Sequence, residues 1–243
     1  MRIVIVLHFF LILIYSQGFG QTFLEDFDDI NTLEDWYFIN NSDSQDQSWH
    51  QGDPAQFSSH QGATNSFLGV GYQSSSASTP VTLSNWAITP TRTFNNGDIV
   101  TFYTRRVDVT PVFPDRIEVR LSEDGNNLDI GFSPEDVGTF TTLLLSVNPA
   151  LSSSGYPSTW TQYTITLTGL SGPTNGRIGF RYYVIDGGPG GSNSNYIGID
   201  SYTYYTAQTP PVNDECVNAI GIDHTASCTP IQGLLELATE SIP

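Results

Sequence analysis

The sequence predicts an all-β protein, a two-sheet antiparallel jelly-roll sandwich, on three observations. Apolar and polar residues alternate with period two through several runs, as they do in strands with one face buried. Gly (22) and Pro (14) are plentiful and cluster with Ser, Thr and Asn between those runs, where turns need them. No window carries an amphipathic helical pattern, because Ala is scarce, Lys is absent and β-branched residues dominate.

The elements follow in chain order. Thr22–Phe27 opens the body, and Ser66–Tyr72, Thr82–Ile88 and Asp98–Arg106 are the next strands. In Asp115–Leu121, Ile117, Val119 and Leu121 share one face, while Arg116, Glu118 and Arg120 form a charge ladder on the other, expected in solvent. Thr139–Leu145 comes next. From Trp160 to Leu167, Tyr163, Ile165 and Leu167 point one way and Gln162, Thr164 and Thr166 the other. Gly176–Asp186 repeats the scheme with Ile178, Phe180, Tyr182 and Val184 inward, and Asn195–Tyr205 closes the set. Asn96-Gly97, Asp124-Gly125 and Asn175-Gly176 are turn dipeptides between runs.

Domain boundaries come from composition. Met1 and Arg2 precede an apolar run from Ile3 to Tyr15, too short for the roughly 20 residues that span a bilayer. With small residues after it, residues 1–20 read as a secretory signal peptide. Residues 21–207 are the jelly-roll domain, and 208–215, with Pro210 and Pro211, read as a linker. Residues 216–243 are too few for a core of their own, so they are either the truncated start of a further domain or a stapled tail. Cys216 and Cys228 are the only cysteines, and in an oxidising compartment they are expected to pair as a disulfide.

Charge excludes several functions. All eight cationic side chains are Arg, so chemistry that needs a Lys amine, from phosphate loops to Schiff bases, is out. A formal charge of −17 argues against nucleic acid as a partner, since phosphates would be repelled. The sequence lacks His-Glu-x-x-His and Gly-x-Ser-x-Gly, and no catalytic residues are assigned.

The series Phe23 to Phe27, Trp36, Trp49 and His60-Gln61-Gly62 resembles the entry of cleaved-adhesin, or choice-of-anchor J, domains, of the same jelly-roll group as MAM-like modules. Ser84 to Pro90, Asp115 to Gly125, Trp160 to Leu167, Gly179 to Tyr182 and Tyr196 to Asp200 continue that resemblance in order, with Ala87 where the family has a larger apolar residue. The segment from Asn213 to Cys228 resembles the start of another extracellular module. The resemblance implies secreted or surface proteins of Bacteroidetes, commonly exported by type IX secretion.

Function follows as expectation. The resemblance implies a secreted, non-catalytic module that adheres to an extracellular protein or glycan; the alternative is an accessory domain of a secreted hydrolase. It also implies a structural Ca²⁺ between first and last strands, with Glu25, Asp28 and Asp200 as metal ligands. Glu25, Asp26, Asp28 and Asp29 crowd four carboxylates into five residues, which suits a hard cation, though a solvated acidic loop is the other reading. Trp49, in a polar stretch, is the candidate ligand-binding platform, whereas Trp86 and Trp160 are expected in the core. The glycine-rich connection from Asp186 to Asn195 is either a recognition surface or an ordinary mobile link.

Overall fold

A computed structural model describes residues 22–207; the expected signal peptide, the expected linker and the expected Cys216–Cys228 disulfide lie outside the described residues. Twelve strands follow in order: β1 (Thr22–Glu25), β2 (Tyr37–Asn40), β3 (His50–Gln51), β4 (Leu68–Gly71), β5 (Val81–Ile88), β6 (Arg92–Phe94), β7 (Ile99–Arg106), β8 (Ile117–Ser122), β9 (Thr142–Val147), β10 (Thr161–Thr166), β11 (Thr174–Gly187) and β12 (Tyr196–Tyr205). All pairings are antiparallel. One sheet runs β10-β7-β12-β4-β3, with β1 also on β12; the other runs β2-β5-β11-β8-β9, with β6 also on β11.

The expected strands are all present, at shifted ends. The additions are β2, β3 and β6, of two to four residues each, too short to show a period in sequence.

The two sheets bury the faces that alternation assigns. Ile117, Val119, Ile178, Phe180, Tyr182 and Val184 on the second sheet are fully enclosed, as are Val100, Phe102, Ile197 and Ile199 on the first. Phe180 bridges the layers, meeting Phe102 edge-on at 5.1 Å and Tyr202 at 5.8 Å between ring centroids. Such edge-to-face pairs add about 0.5–1.5 kcal/mol each to the burial of the rings themselves.

The outer faces are covered as well, which corrects the expected solvent ladder. Glu118 is buried, because the segment 126–141 lies across the second sheet and packs Ile130 and Phe140 onto Trp86 and Ile88. Arg181 rises from β11 beneath that cover. Its Nη1 reaches Glu118 Oε2 at 3.2 Å, its Nε donates to Ser84 Oγ at 3.0 Å, and its Nη2 donates to the carbonyls of Pro134 and Asp136. Arg120 holds the same Glu118 oxygen at 2.7 Å. On the first sheet, Phe57 and Phe67 form a smaller cluster with Val107 and Tyr196, against which Trp160 packs half-buried.

Candidate functional site

With the centre of each outer face covered and the edge strands β9 and β10 left more open, a recessed surface is found at one end of the sandwich. There the turn after β4, the β7–β8 connection and the β11–β12 connection converge. They enclose a surface cleft of about 210 Å³ lined by Tyr72, Phe113, Gly188, Pro189, Gly191, Ser194 and Asn195. Tyr72 and Phe113 are 39 % and 38 % exposed, unusual for aromatic rings in a packed domain.

Hydrogen bonds fix the glycine-rich wall of this cleft. Gly188, at φ +80°, donates its N–H to Ser194 Oγ at 3.0 Å, and Asn193 N–H donates to the Asp186 carbonyl at 2.9 Å. Ser194 N–H reaches the Pro114 carbonyl at 2.8 Å, tying this wall to the one that carries Phe113. Tyr72 N–H donates to the Asn195 carbonyl at 2.8 Å, which ties in the third wall. A side chain at Gly190 would strike the Ser78 carbonyl, so glycine there is a packing requirement.

Asp115 anchors the floor. Its fully buried carboxylate accepts from Asn195 N–H at 2.8 Å and from Tyr182 O–H at 2.6 Å. Burial pushes its pKa up to about 6; the two donors and nearby Arg106 pull the other way. No carboxylate, imidazole or cationic side chain lines the cleft itself. Its walls can therefore stack on and hydrogen-bond a ligand, and the Tyr72 phenol is the one ionisable side chain among them.

The residues expected to act are placed elsewhere. Trp49 is a correction: only 3 % exposed, it belongs to the core, and its Nε1 donates to the Asn85 carbonyl at 3.1 Å. Trp49 immediately precedes the short strand β3, and its indole turns inward although its sequence neighbours are polar, so it presents no ring face to a ligand. Trp86 is fully buried, and Trp160 is half-buried with its Nε1 on the Ser58 carbonyl at 2.9 Å. His60 stacks on Tyr103 at 3.6 Å between ring centroids.

Among the described residues, no three His, Cys, Asp or Glu side chains come together as a metal site, so Glu25, Asp28 and Asp200 do not form a ready triad. Glu25 lines a separate surface cleft with Glu34, Trp36, Pro90 and Arg92, and its Oε1 accepts from Phe27 N–H at 3.1 Å. Burial raises its pKa, Phe27 N–H opposes this, and the charges of Asp26 and Asp28 add to the rise. Asp200 is fully buried. Its Oδ2 accepts the N–H groups of His60 at 2.7 Å and Gln61 at 3.2 Å, and its Oδ1 accepts Ser201 N–H at 2.6 Å. Burial still pushes it up to about 6, and Asp26 adds to the rise. Asp26, whose charge acts on Asp200, has its Oδ1 buried with no hydrogen-bond partner. Asp28 Oδ1 lies against Gly62, where an added Cβ would come within 2.9 Å of it.

No protein-family model matches this chain, and no curated protein matches it either. Among solved structures, a cleaved adhesin domain of Lys-gingipain from Porphyromonas gingivalis is 21 % identical, with a TM-score of 0.53 over 78 % of this chain and 100 % of that one. Another cleaved adhesin domain of Lys-gingipain from the same species is 19 % identical, with a TM-score of 0.46 over 76 % of this chain and 98 % of that one. The chain therefore shares its β-sandwich fold with the first of these adhesin domains.

Proposed function

We propose that residues 22–207 form a non-catalytic adhesion module of a secreted or surface protein, and that it holds an uncharged glycan in the end cleft. The observation that carries this is the pairing of two exposed aromatic rings, Tyr72 and Phe113, with a hydrogen-bonded glycine-rich wall and no ionisable group other than the Tyr72 phenol. Ring faces stack on the C–H faces of sugars, while backbone groups and Asn195 meet hydroxyls. A cleft without cations, on a chain of net charge −17, favours neutral sugars over sialylated or sulfated ones. The likeness to a domain named an adhesin supports the same reading. Signal-directed export of residues 1–20, by a type IX or other route, belongs to this proposal.

A structural Ca²⁺ is part of the proposal too. Its proposed ligands are Asp26 and Asp28 in the entry segment and Asp200 on the last strand; they are not preassembled as a site, so the ion would draw them together. The Asp26 Oδ1, buried without a hydrogen-bond partner, is the observation that supports a hard cation there.

A glycan microarray probed with wild type, Tyr72→Ala and Phe113→Ala tests the cleft. Each variant is expected to lose roughly tenfold in affinity for neutral glycans, about 1.4 kcal/mol, with an unchanged melting midpoint. Undiminished binding by both variants would move the site elsewhere, and exclusive binding of sialylated glycans would refute the neutral class.

A further inference from the structure

Phe132 is 100 % exposed, at the tip of the 126–141 segment and remote in sequence from every residue of the cleft. A fully solvated phenyl ring forgoes about 1.5–3 kcal/mol of burial that a core position would supply. A loose loop would fold such a ring down onto the domain, but this one is held from four sides. Asp136 Oδ2 accepts the N–H groups of Phe132 at 3.0 Å and Ser133 at 2.9 Å. Asp129 Oδ1 accepts Gly131 N–H at 2.8 Å, and Gly131 sits at φ +85°. Asn41, from the far edge of the sheet, donates its Nδ2 to the Ser133 carbonyl at 2.8 Å and more weakly to that of Gly131. From below, the buried Arg181 grips the carbonyls of Pro134 and Asp136. The ring is therefore displayed by a prearranged backbone, which removes much of the ordering cost of placing it in a complex.

Its surroundings indicate what it meets. Asp129, Glu135 and Asp136 are exposed around it, and no cationic side chain of the described residues is fully exposed. Leu143, paired with Arg120 on the outer face of the second sheet, is a further apolar side chain left 49 % exposed. A second copy of this chain would bring its own −17 to the contact, so self-association is disfavoured. We propose that Phe132 anchors a protein-docking surface whose partner presents an apolar pocket rimmed by Lys or Arg.

The test uses the full chain and a display library of small folded domains randomised over one face. Domains selected on wild type are expected to combine an apolar pocket with basic rim residues and to weaken as salt is raised. They should lose tenfold or more in affinity on Phe132→Ser, as an anchor residue does, and should bind Tyr72→Ala undiminished. Because the ring is fully exposed, Phe132→Ser should melt at the wild-type temperature, so loss of fold does not confound the readout. Selected domains that bind Phe132→Ser as tightly as wild type would overturn the proposal. So would a preference for acidic or uncharged rims. A concentration-dependent dimer of wild type, abolished by Phe132→Ser, would assign the surface to a second copy instead. None of these outcomes depends on whether the glycan cleft is correct.

Discussion

Asp115 shows how one buried carboxylate links the core to the recognition end. It accepts from Tyr182 in the second sheet and from Asn195 in the cleft wall, while its Oδ2 has no hydrogen-bond partner. An acid whose pKa is about 6 when folded and about 4 when unfolded binds its proton preferentially in the folded state. The folded protein thus gains from this group below about pH 4, and loses that gain as pH rises to about 6, beyond which the cost is constant. Asp115→Asn keeps an oxygen acceptor for both donors and removes the titration. Melting curves between these pH values should therefore fall more steeply for wild type than for Asp115→Asn. A difference of roughly 4–8 °C is expected, given about 2–4 °C per kcal/mol for a domain of this size. Parallel curves would show that the carboxylate is solvated and does not carry this cost.

Strand β11 sets the arrangement of the second sheet, pairing with β5, β6 and β8 along its 14 residues. Its inward face was legible because Ile178, Phe180, Tyr182 and Val184 keep a strict two-residue period against the other sheet. Its outward face was not. Arg177 and Arg181 look solvent-bound in sequence, yet they are buried under irregular segments that have no period to read. The site was legible to the same limited extent. The glycine-rich connection stood out by composition, whereas Tyr72 read as the last residue of a strand and Phe113 as a single aromatic in an irregular stretch, and only the ends of β4 and β7 bring them together. Trp49 misled because its neighbours Ser48 and His50 are polar, and a two-residue strand leaves no pattern to say which way the indole turns. The Arg181 fork makes a prediction for the element it holds. Arg181→Lys cannot span Ser84, Glu118 and two loop carbonyls at once, because an ammonium is a point donor and a guanidinium a planar fork. Breaking such a buried set costs about 3–5 kcal/mol. Hydrogen exchange should accelerate first across residues 130–140, before the β5–β11 ladder opens. Uniform acceleration, or none, would show that the cover does not depend on Arg181.

At the scale of the whole molecule, residues 22–207 contain no cysteine, and acids far outnumber the Arg residues. Stability has to come from the interlayer core and from whatever offsets the self-repulsion of a −17 chain. Like charges meet where the first strand ends, because Asp26 acts on Asp200, Asp26 and Asp28 act on Glu25, and Asp28 lies against Gly62. A cation bound there clips β1 to β12 and stabilises only the folded state, by RT ln(1 + [L]/Kd). At a calcium concentration a hundred times Kd that amounts to about 2.7 kcal/mol, a rise of roughly 5–10 °C in melting midpoint for a domain of this size. The expected result is such a rise in calcium, reversed by chelator and abolished in Asp26→Asn. Glu25→Gln should retain more of the rise than Asp26→Asn, because Glu25 lines a cleft with Arg92, although Asp26 and Asp28 also act on its charge. Asp26→Asn alone, in chelator, should melt no lower than wild type, since it removes a negative charge that acts on buried Asp200. Identical midpoints for wild type in calcium and chelator would leave the acidic entry as a solvated loop. Loss of the calcium response in Glu25→Gln but not in Asp26→Asn would restore the set of ligands that the sequence suggested.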